Sequence, residues 1–392
     1  MSKVNTASLA KAIAECKDLL GKDVIRTYDQ HADVEIIPTD FYEFNQASSI
    51  GGFPMGKIIE IYGPFSCGKT TLSWQIAAAL QRHTKKKVLF EDYEGATSKP
   101  YLKKLGVNVE EVLFGLPENA SLEDGFTMID KLVPTGAFCC VIVDSLAAMV
   151  PKSEHDSIEE KGLEGSDVAL KAKLFHKAMR RYSPFMRANN TSLIFINHMT
   201  DKLNLQGGYM ARLGEQTTTP GGKAVSFFAD MRIELKPTDF VVKQVASEKD
   251  AKKKVNVKIG RNIKLSFIKN RLGDPFGSAT MTLRNGRGFD VATSAIKRGL
   301  AEGIIVKGVG GLHFLKDDPK IQASSYDRFW NLVTANPQLL ADILTKLEGK
   351  EVSFKNVDLS AGERDLSAKE LGLTSEEVSD SEESQNTVAL DI

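Results

Sequence analysis

The stretch GPFSCGKTT, Gly63 to Thr71, lies directly behind the apolar run Ile58–Tyr62 (IIEIY) and ahead of a helical pattern over Lys69–His83. It fits the phosphate-loop pattern G-x-x-x-x-G-K-[ST], whose glycines let backbone amides turn inward around phosphate oxygens. The helix behind the loop adds the positive end of its dipole. Gly63, Pro64, Phe65, Ser66, Cys67 and Gly68 form the cradle, Lys69 reaches the outer phosphates, and Thr70, followed by Thr71, offers a hydroxyl to a magnesium ion. A strand before and a helix after are what the motif demands. Cys67, inside the loop, reads as a small buried thiol there for packing and not for redox chemistry.

Outward from the loop, apolar runs alternate with helical stretches. Candidate strands are Ile58–Tyr62, Val88–Glu91, Val112–Leu116, Cys139–Val143, Leu193–Asn197 and Met231–Lys236, with helical patterns at Lys69–His83, Leu122–Leu132 and Val168–Ala188. Continuous apolar strands separated by helices predict an α/β fold: a doubly wound, mostly parallel sheet covered on both faces. After Lys236 the pattern changes to hairpin-like strands, Val255–Ile259, Ile263–Ile268 and Ala279–Leu283, which predict an antiparallel extension. A turn cluster at Asn285 to Gly288 then opens a small C-terminal α/β unit, with helices at Ser294–Glu302 and Tyr326–Leu347 around a short strand near His313.

Three further strand ends carry polar chemistry. CCVIVDS, Cys139 to Ser145, is an apolar strand ending in Asp144, placed to bind the metal's water shell. VLFEDYE, Val88 to Glu94, ends in Glu91, Asp92 and Glu94; nucleotide hydrolysis needs one carboxylate to orient the attacking water, and the pattern does not choose among the three. LIFINH, Leu193 to His198, ends in Asn197 and His198 at the sheet edge that opens toward a nucleotide, where both can sense the terminal phosphate, or the lone His198 can be a structural hydrogen bonder.

Near the N-terminus, Leu9, Ile13, Cys16 and Leu20 share one face of a short helix with Thr6 or Ser8 as N-cap; Gly21 to Phe53 reads as a linker with an edge strand at Val34–Ile37. The apolar helix face must be buried on the main body or on another subunit. The domain division is 1–33, 34–288, 289–350 and a tail at 351–392.

Composition narrows the class. The 392 residues hold 51 Lys+Arg and 51 Asp+Glu, with 42% hydrophobic and 26% charged residues, an ordinary globular balance. No apolar run approaches the ~18 residues of a membrane helix, and the N-terminus lacks a signal-peptide succession. Four cysteines (Cys16, Cys67, Cys139, Cys140) make neither a disulfide framework nor a zinc site, so a reduced, cytoplasmic setting is expected. The neutral total hides an asymmetry. Seven acids and no Lys or Arg lie in 370–392, leaving 51 basic and 44 acidic residues in 1–369, a body charge of +7. A basic body with an acidic tail raises a polyanion partner, beside the plainer reading of a solubilising tail.

The segments GGFPMGKIIEIYGPFSCGKTT, YLKKLGVN, VIVDSLAAMVPK, LIFINH and TTTPGG, in this order, resemble the RecA family of ATP-dependent DNA recombinases, from about Leu9 to Gly349. Phage recombinases of the UvsX type are nearest, since bacterial members carry Gln where this chain has His198. The resemblance implies a RecA-type core and bound ATP and Mg2+. It makes Glu94 the catalytic carboxylate, with Lys69 and His198 beside it, and Tyr101 the ring stacked on adenine. Lys269 and Arg271, in FIKNRLGDPF, become a basic pair reaching the neighbouring subunit's nucleotide, although as residues alone they read as ordinary strand charges. Ser98 stands where bacterial members carry an acid near adenine. The loops Pro151–Val168 and Thr200–Gly222 would line a filament axis and hold single-stranded DNA, with Lys202, Arg212, Gly221, Gly222 and Lys223 as phosphate contacts. The first loop is acid-rich, so Lys171 and Lys173, just beyond it, stand in. Implied partners are single-stranded and duplex DNA, further copies of the chain in a helical filament, a single-strand-binding protein and a loader, with no membrane, in the cytoplasm of a bacterium or a phage-infected host. Two rival readings remain: a hexameric ring ATPase or helicase, and a recombination mediator that binds ATP without turnover.

Overall fold

The computed structural model describes residues 6–20, 33–95, 97–115, 120–154, 168–201, 217–218, 222–246 and 254–349. Contacts divide the chain into a short N-terminal unit ending at Glu35 and a main unit from Ile36. In the first, a helix runs over Thr6–Leu20 and already contains Thr6 and Ser8, which puts both inside it and not at its cap. Leu9 and Leu20 on its apolar stripe are exposed.

The main unit is organised by a nine-stranded sheet. Its strands are β1 Ile58–Gly63, β2 Lys87–Asp92, β3 Val112–Gly115, β4 Phe138–Asp144, β5 Ser192–His198, β6 Met231–Ala246, β7 Lys254–Asn270, β8 Ser278–Arg284 and β9 Gly288–Phe289. Across the sheet the order is β9-β8-β7-β6-β1-β5-β4-β2-β3. From β6 to β3 every pairing is parallel; from β6 to β9 every pairing is antiparallel. This is the doubly wound sheet with an antiparallel extension that the sequence predicts.

Period-two alternation sorts the strand residues onto the two faces. Ile59, Ile61, Phe90, Ile142 and Ile196 join one core with Leu72, Trp74, Ile76 and Leu80 of the helix Lys69–Thr84. Ile58, Leu89, Val141, Val143 and Phe195 join the other with Ile129, Phe175, Met179 and Tyr182, from helices Leu122–Leu132 and Val168–Asn189. Registers Gly63↔His198 and Asp92↔Asp144 bring the polar strand ends to one carboxyl edge.

Five expectations are corrected. The two strands expected at Val255–Ile259 and Ile263–Ile268 are one strand, β7, because Gly260 does not turn the chain. A Cβ there would lie 2.5 Å from Leu283 O, and only glycine lets β8 approach so closely while the ladder continues. Likewise β6 runs past Lys236 to Ala246, through a register shift between Pro237 and Phe240. The short strand at Ile36–Ile37 pairs with Phe53–Pro54 and not with the main sheet. The stretch Tyr326–Leu347 is two helices, Tyr326–Ala335 and Pro337–Glu348, since the residue before a proline leaves the helical region and Asn336 caps the second helix through Leu339 N at 3.2 Å. The linker reading also missed the helix Tyr42–Ala47, whose Phe44 packs edge-on against Phe267.

A third core joins Ile296, Ile305, Phe329, Trp330, Ile343 and Leu344 around a small antiparallel sheet of Ile305–Lys307, His313–Leu315 and Gln322–Ala323. Its first helix, Val291–Ala301, starts three residues before the expected Ser294 because Asp290 caps it through Thr293 N at 3.0 Å. The four cysteines are free thiols. Among the described residues no helix is long and apolar enough to cross a membrane.

Candidate nucleotide site

The phosphate loop leaves β1 at Gly63 and enters its helix at Lys69, with Ser66 (φ 55°) and Gly68 (φ 85°) in the left-handed region. A Cβ on Gly63 would lie 2.3 Å from Leu235 O, and one on Gly68 would lie 2.9 Å from the Leu283 side chain and 3.1 Å from the Phe289 ring. Both glycines are therefore needed to seat the loop on β6, β8 and β9. The Gln75 side chain locks this contact, donating to Phe289 O at 3.0 Å and accepting from Phe289 N at 2.8 Å.

Lys69 is buried, and its ammonium donates to Gly63 O at 3.2 Å and Pro64 O at 2.8 Å. Burial lowers its pKa, against the opposing charges of Cys67, Asp144 and Glu94. The Thr70 hydroxyl donates to Asp144 Oδ2 at 2.6 Å. Burial pushes Asp144 up to about 6; the Thr70 hydrogen bond works against that shift, and the charges of Glu94 and Asp92 add to it.

Of the three acids after β2, the structure separates the roles. Glu91 is fully buried, Asp92 accepts the Glu94 and Gly95 amides at 3.2 and 2.7 Å, and Glu94 faces the cavity beside the loop. Ser145 Oγ donates to Glu94 Oε1, and His198 Nε2 lies 3.0 Å from the same oxygen. Burial raises the Glu94 pKa, but the hydrogen bonds from Ser145 and His198, with the Lys69 charge, outweigh it and hold the carboxyl below its ordinary value. Phe65 stacks on the His198 ring, with centroids 4.5 Å apart and planes 29° from parallel. Tyr101 OH lies 3.0 Å from Thr71 Oγ1.

These groups line one cavity of about 440 Å³, closed on its far side by Leu283, Arg284, Asn285 and Gly286. Arg284 also donates to Asp290 Oδ2 at 2.7 Å and lies over the Trp330 ring at 4.2 Å, so the third core abuts the cavity wall. Asn285 and Gly286 of the turn cluster therefore line this cavity. Hard oxygen donors at the helix start suit Mg2+, which takes one or two protein ligands and keeps its other positions for water and phosphate. Among the described residues there is no group of three or more His, Cys, Asp or Glu able to hold a metal.

Two comparisons meet this geometry. The model of the RecA N-terminal domain matches residues 7–290. Protein RecA of Streptomyces rimosus is 30% identical over 357 residues, which cover 90% of this chain and 88% of that protein. The chain belongs to the RecA family. It is accordingly an ATP-dependent recombinase of DNA repair and a DNA-dependent ATPase, with DNA and further copies of itself as partners.

Several residues that the RecA resemblance singles out lie elsewhere. Lys269 and Arg271 are not in the cavity wall: Lys269 Nζ donates to Ser226 O and Phe227 O at 2.9 and 2.7 Å, and Arg271 to Phe227 O at 2.8 Å, closing the helix Gly222–Phe228. Asn197 is buried and donates to Glu60 Oε1 at 3.0 Å, which makes it a structural hydrogen bonder while His198 alone reaches the site. Glu60 in turn pairs with Arg232 Nε at 2.6 Å. Ser98 caps the helix Lys99–Lys104. Of the DNA candidates, Lys171 is half-buried and donates to Ala147 O at 3.0 Å, whereas Lys173 is exposed on the same helix. Gly222 and Lys223 begin the helix Gly222–Phe228. Lys202, Arg212 and Gly221 lie outside the described residues.

Proposed function

We propose that this RecA-family chain assembles as a helical filament on single-stranded DNA and carries out homologous pairing and strand exchange, with Mg2+·ATP as its nucleotide. One observation carries the hydrolytic reading: Glu94 and the Lys69–Thr70 end of the phosphate loop line a single cavity. In that geometry Glu94 takes a proton from water as its oxygen attacks the γ-phosphorus, and the bond to the bridging oxygen breaks with its electron pair leaving on ADP. Thr70 and Asp144 would hold Mg2+, which would supply charge neutralisation on the phosphate oxygens. Gly63 to Thr71 cradle the phosphates and Tyr101 stacks on adenine.

Lys269 and Arg271 stand away from their own chain's cavity, which fits a role toward an adjacent protomer's nucleotide. The helix Thr6–Leu20, with Leu9 and Leu20 of its apolar stripe exposed, is the docking element for that protomer. DNA contact falls to Lys173, Lys202, Arg212, Gly221, Gly222 and Lys223, with Lys171 secondary. The ribbon of β6 and β7 also suits duplex DNA. Residues 231–270 hold eleven Lys and Arg against four Asp and Glu, a net +7, whereas the rest of 1–369 balances at 40 and 40. The two strands alone, 231–246 and 254–270, hold eight Lys and Arg against two Asp and Glu, a net +6. The division at 1–33, 34–288, 289–350 and 351–392, the UvsX-like character of His198, a cytoplasmic site of action, and a single-strand-binding protein and loader as helpers belong to the same reading.

Strand exchange with homologous and heterologous duplexes tests it. Exchange confined to the homologous duplex is expected; closed rings that unwind forks without pairing would replace the reading with a ring helicase. Glu94→Gln should cut turnover to a small residual rate while leaving ATP binding, and unchanged DNA-stimulated hydrolysis would remove Glu94 as the base.

A further inference from the structure

Glu94 reaches the cavity by an extension of the sheet. The β2–β4 pairing ends at Asp92↔Asp144, and Tyr93 N adds one more bond to Asp144 O at 2.7 Å, which brings the next residues of both chains side by side. Ser145 is fully buried there, and its hydroxyl donates to Glu94 Oε1. His198 Nε2 bonds the same oxygen. Among the described residues nothing in the protein engages Oε2. The terminal torsion of a glutamate is broad and roughly two-fold, so a carboxylate with one bond still pivots. Two donors on one oxygen, from separate strands, fix its plane and leave the other oxygen as the basic one.

We infer that Ser145 is a positioning residue for hydrolysis: by holding Oε1 against His198 it presents Glu94 Oε2 to the attacking water. This rests on the reading of Glu94 as the base. A buried serine could instead serve only to fill space, and the two roles differ in what alanine does. A hydrogen bond to a charged group contributes about 1.5–3 kcal/mol, so its loss should lower kcat on the order of ten-fold to a hundred-fold. ATP binding, made by the phosphate loop, should change little.

The test measures DNA-stimulated ATP hydrolysis by the full chain for Ser145→Ala, Ser145→Thr, Glu94→Gln and the double variant Ser145→Ala/Glu94→Gln, with thermal melting of each. Ser145→Ala is expected to lower kcat about ten-fold or more with KM for ATP within two-fold of wild type. Ser145→Thr, which keeps the hydroxyl, should recover most of the rate. In the Glu94→Gln background Ser145→Ala should cost nothing further in single-turnover hydrolysis, because a positioning residue acts only through its carboxylate. An equal loss in both backgrounds, a KM rise in place of the kcat loss, or no recovery with threonine would overturn the inference and leave a packing role. Should Ser145→Ala melt early, Ser145→Cys keeps the shape with only a weak donor, and wild-type kcat there would also overturn it. Full activity in Glu94→Gln would instead sink the reading beneath it, so the two failures are distinct.

Discussion

The Phe65 ring, 76% exposed on the phosphate loop, lies stacked on the His198 ring, which in turn bonds Glu94. The loop is thus in direct contact with the ring that bonds Glu94, which couples the two if Glu94 is the base proposed above. Aromatic pairs of this kind contribute about 0.5–1.5 kcal/mol beyond area. Phe65→Ala should therefore lower kcat of the DNA-stimulated ATPase by roughly two- to ten-fold, with an unchanged melting temperature. A loss confined to stability, with kcat intact, would contradict the coupling.

Glu91 lies in the second core with neither carboxylate oxygen nor the neighbouring Tyr93 hydroxyl hydrogen-bonded, and burial pushes its pKa up to about 8. The folded state therefore prefers the protonated acid. Its favourable contribution is complete below the ordinary carboxylate value near 4.5 and is lost as pH rises through about 8. Glu91→Gln should match wild type in urea denaturation near pH 5 and become relatively more stable toward pH 8.5, at no more than about 1.4 kcal/mol per pH unit. Parallel stability curves would show that Glu91 ionises in the fold without cost.

Lys269 has its pKa lowered to about 8, first by burial and then by the adjacent Arg271 charge, against the pull of Asp230 and Glu60. It loses its proton as pH rises through that value. If its charge serves a neighbouring protomer's nucleotide, DNA-stimulated hydrolysis should decline above pH 8 in the wild type. Lys269→Arg, charged throughout, should have a lower peak rate and a flatter alkaline limb. Superimposable pH profiles would exclude the role.

The seven acids of 370–392 lie outside the described residues, but their charge opposes the +7 of residues 231–270. Truncation after Lys369 is expected to tighten duplex binding and steepen its salt dependence, since each phosphate contact contributes a log–log slope of roughly −0.9. Identical salt titrations with and without the tail would leave it a solubilising role only.

The sheet and the phosphate loop were legible because both are local: alternation and a nine-residue motif need no partner. Choosing among Glu91, Asp92 and Glu94 was not a local question. Alternation turns Glu91 into the second core, Asp92 closes a turn on the next amides, and only Glu94 clears the strand to meet Ser145 and His198. The same parity buries Asn197 and exposes its neighbour's ring to the cavity. Arg284 and Asn285 stayed hidden for a different reason: a turn two hundred residues downstream becomes a cavity wall only when β8 returns beside the loop. Gly260 looked like a turn residue because glycine signals both reversal and close approach, and only the Leu283 carbonyl tells which.

The Gln75–Phe289 clasp ties the phosphate-loop helix to a strand 214 residues later. During synthesis the loop emerges early with its backing strands still unmade, and the glycine at 68 has nothing to lean on until Leu283 and Phe289 arrive. Contacts of such separation form late and slowly. The growing chain is thereby kept from seating its phosphate loop before β6, β7, β8 and β9 have been made.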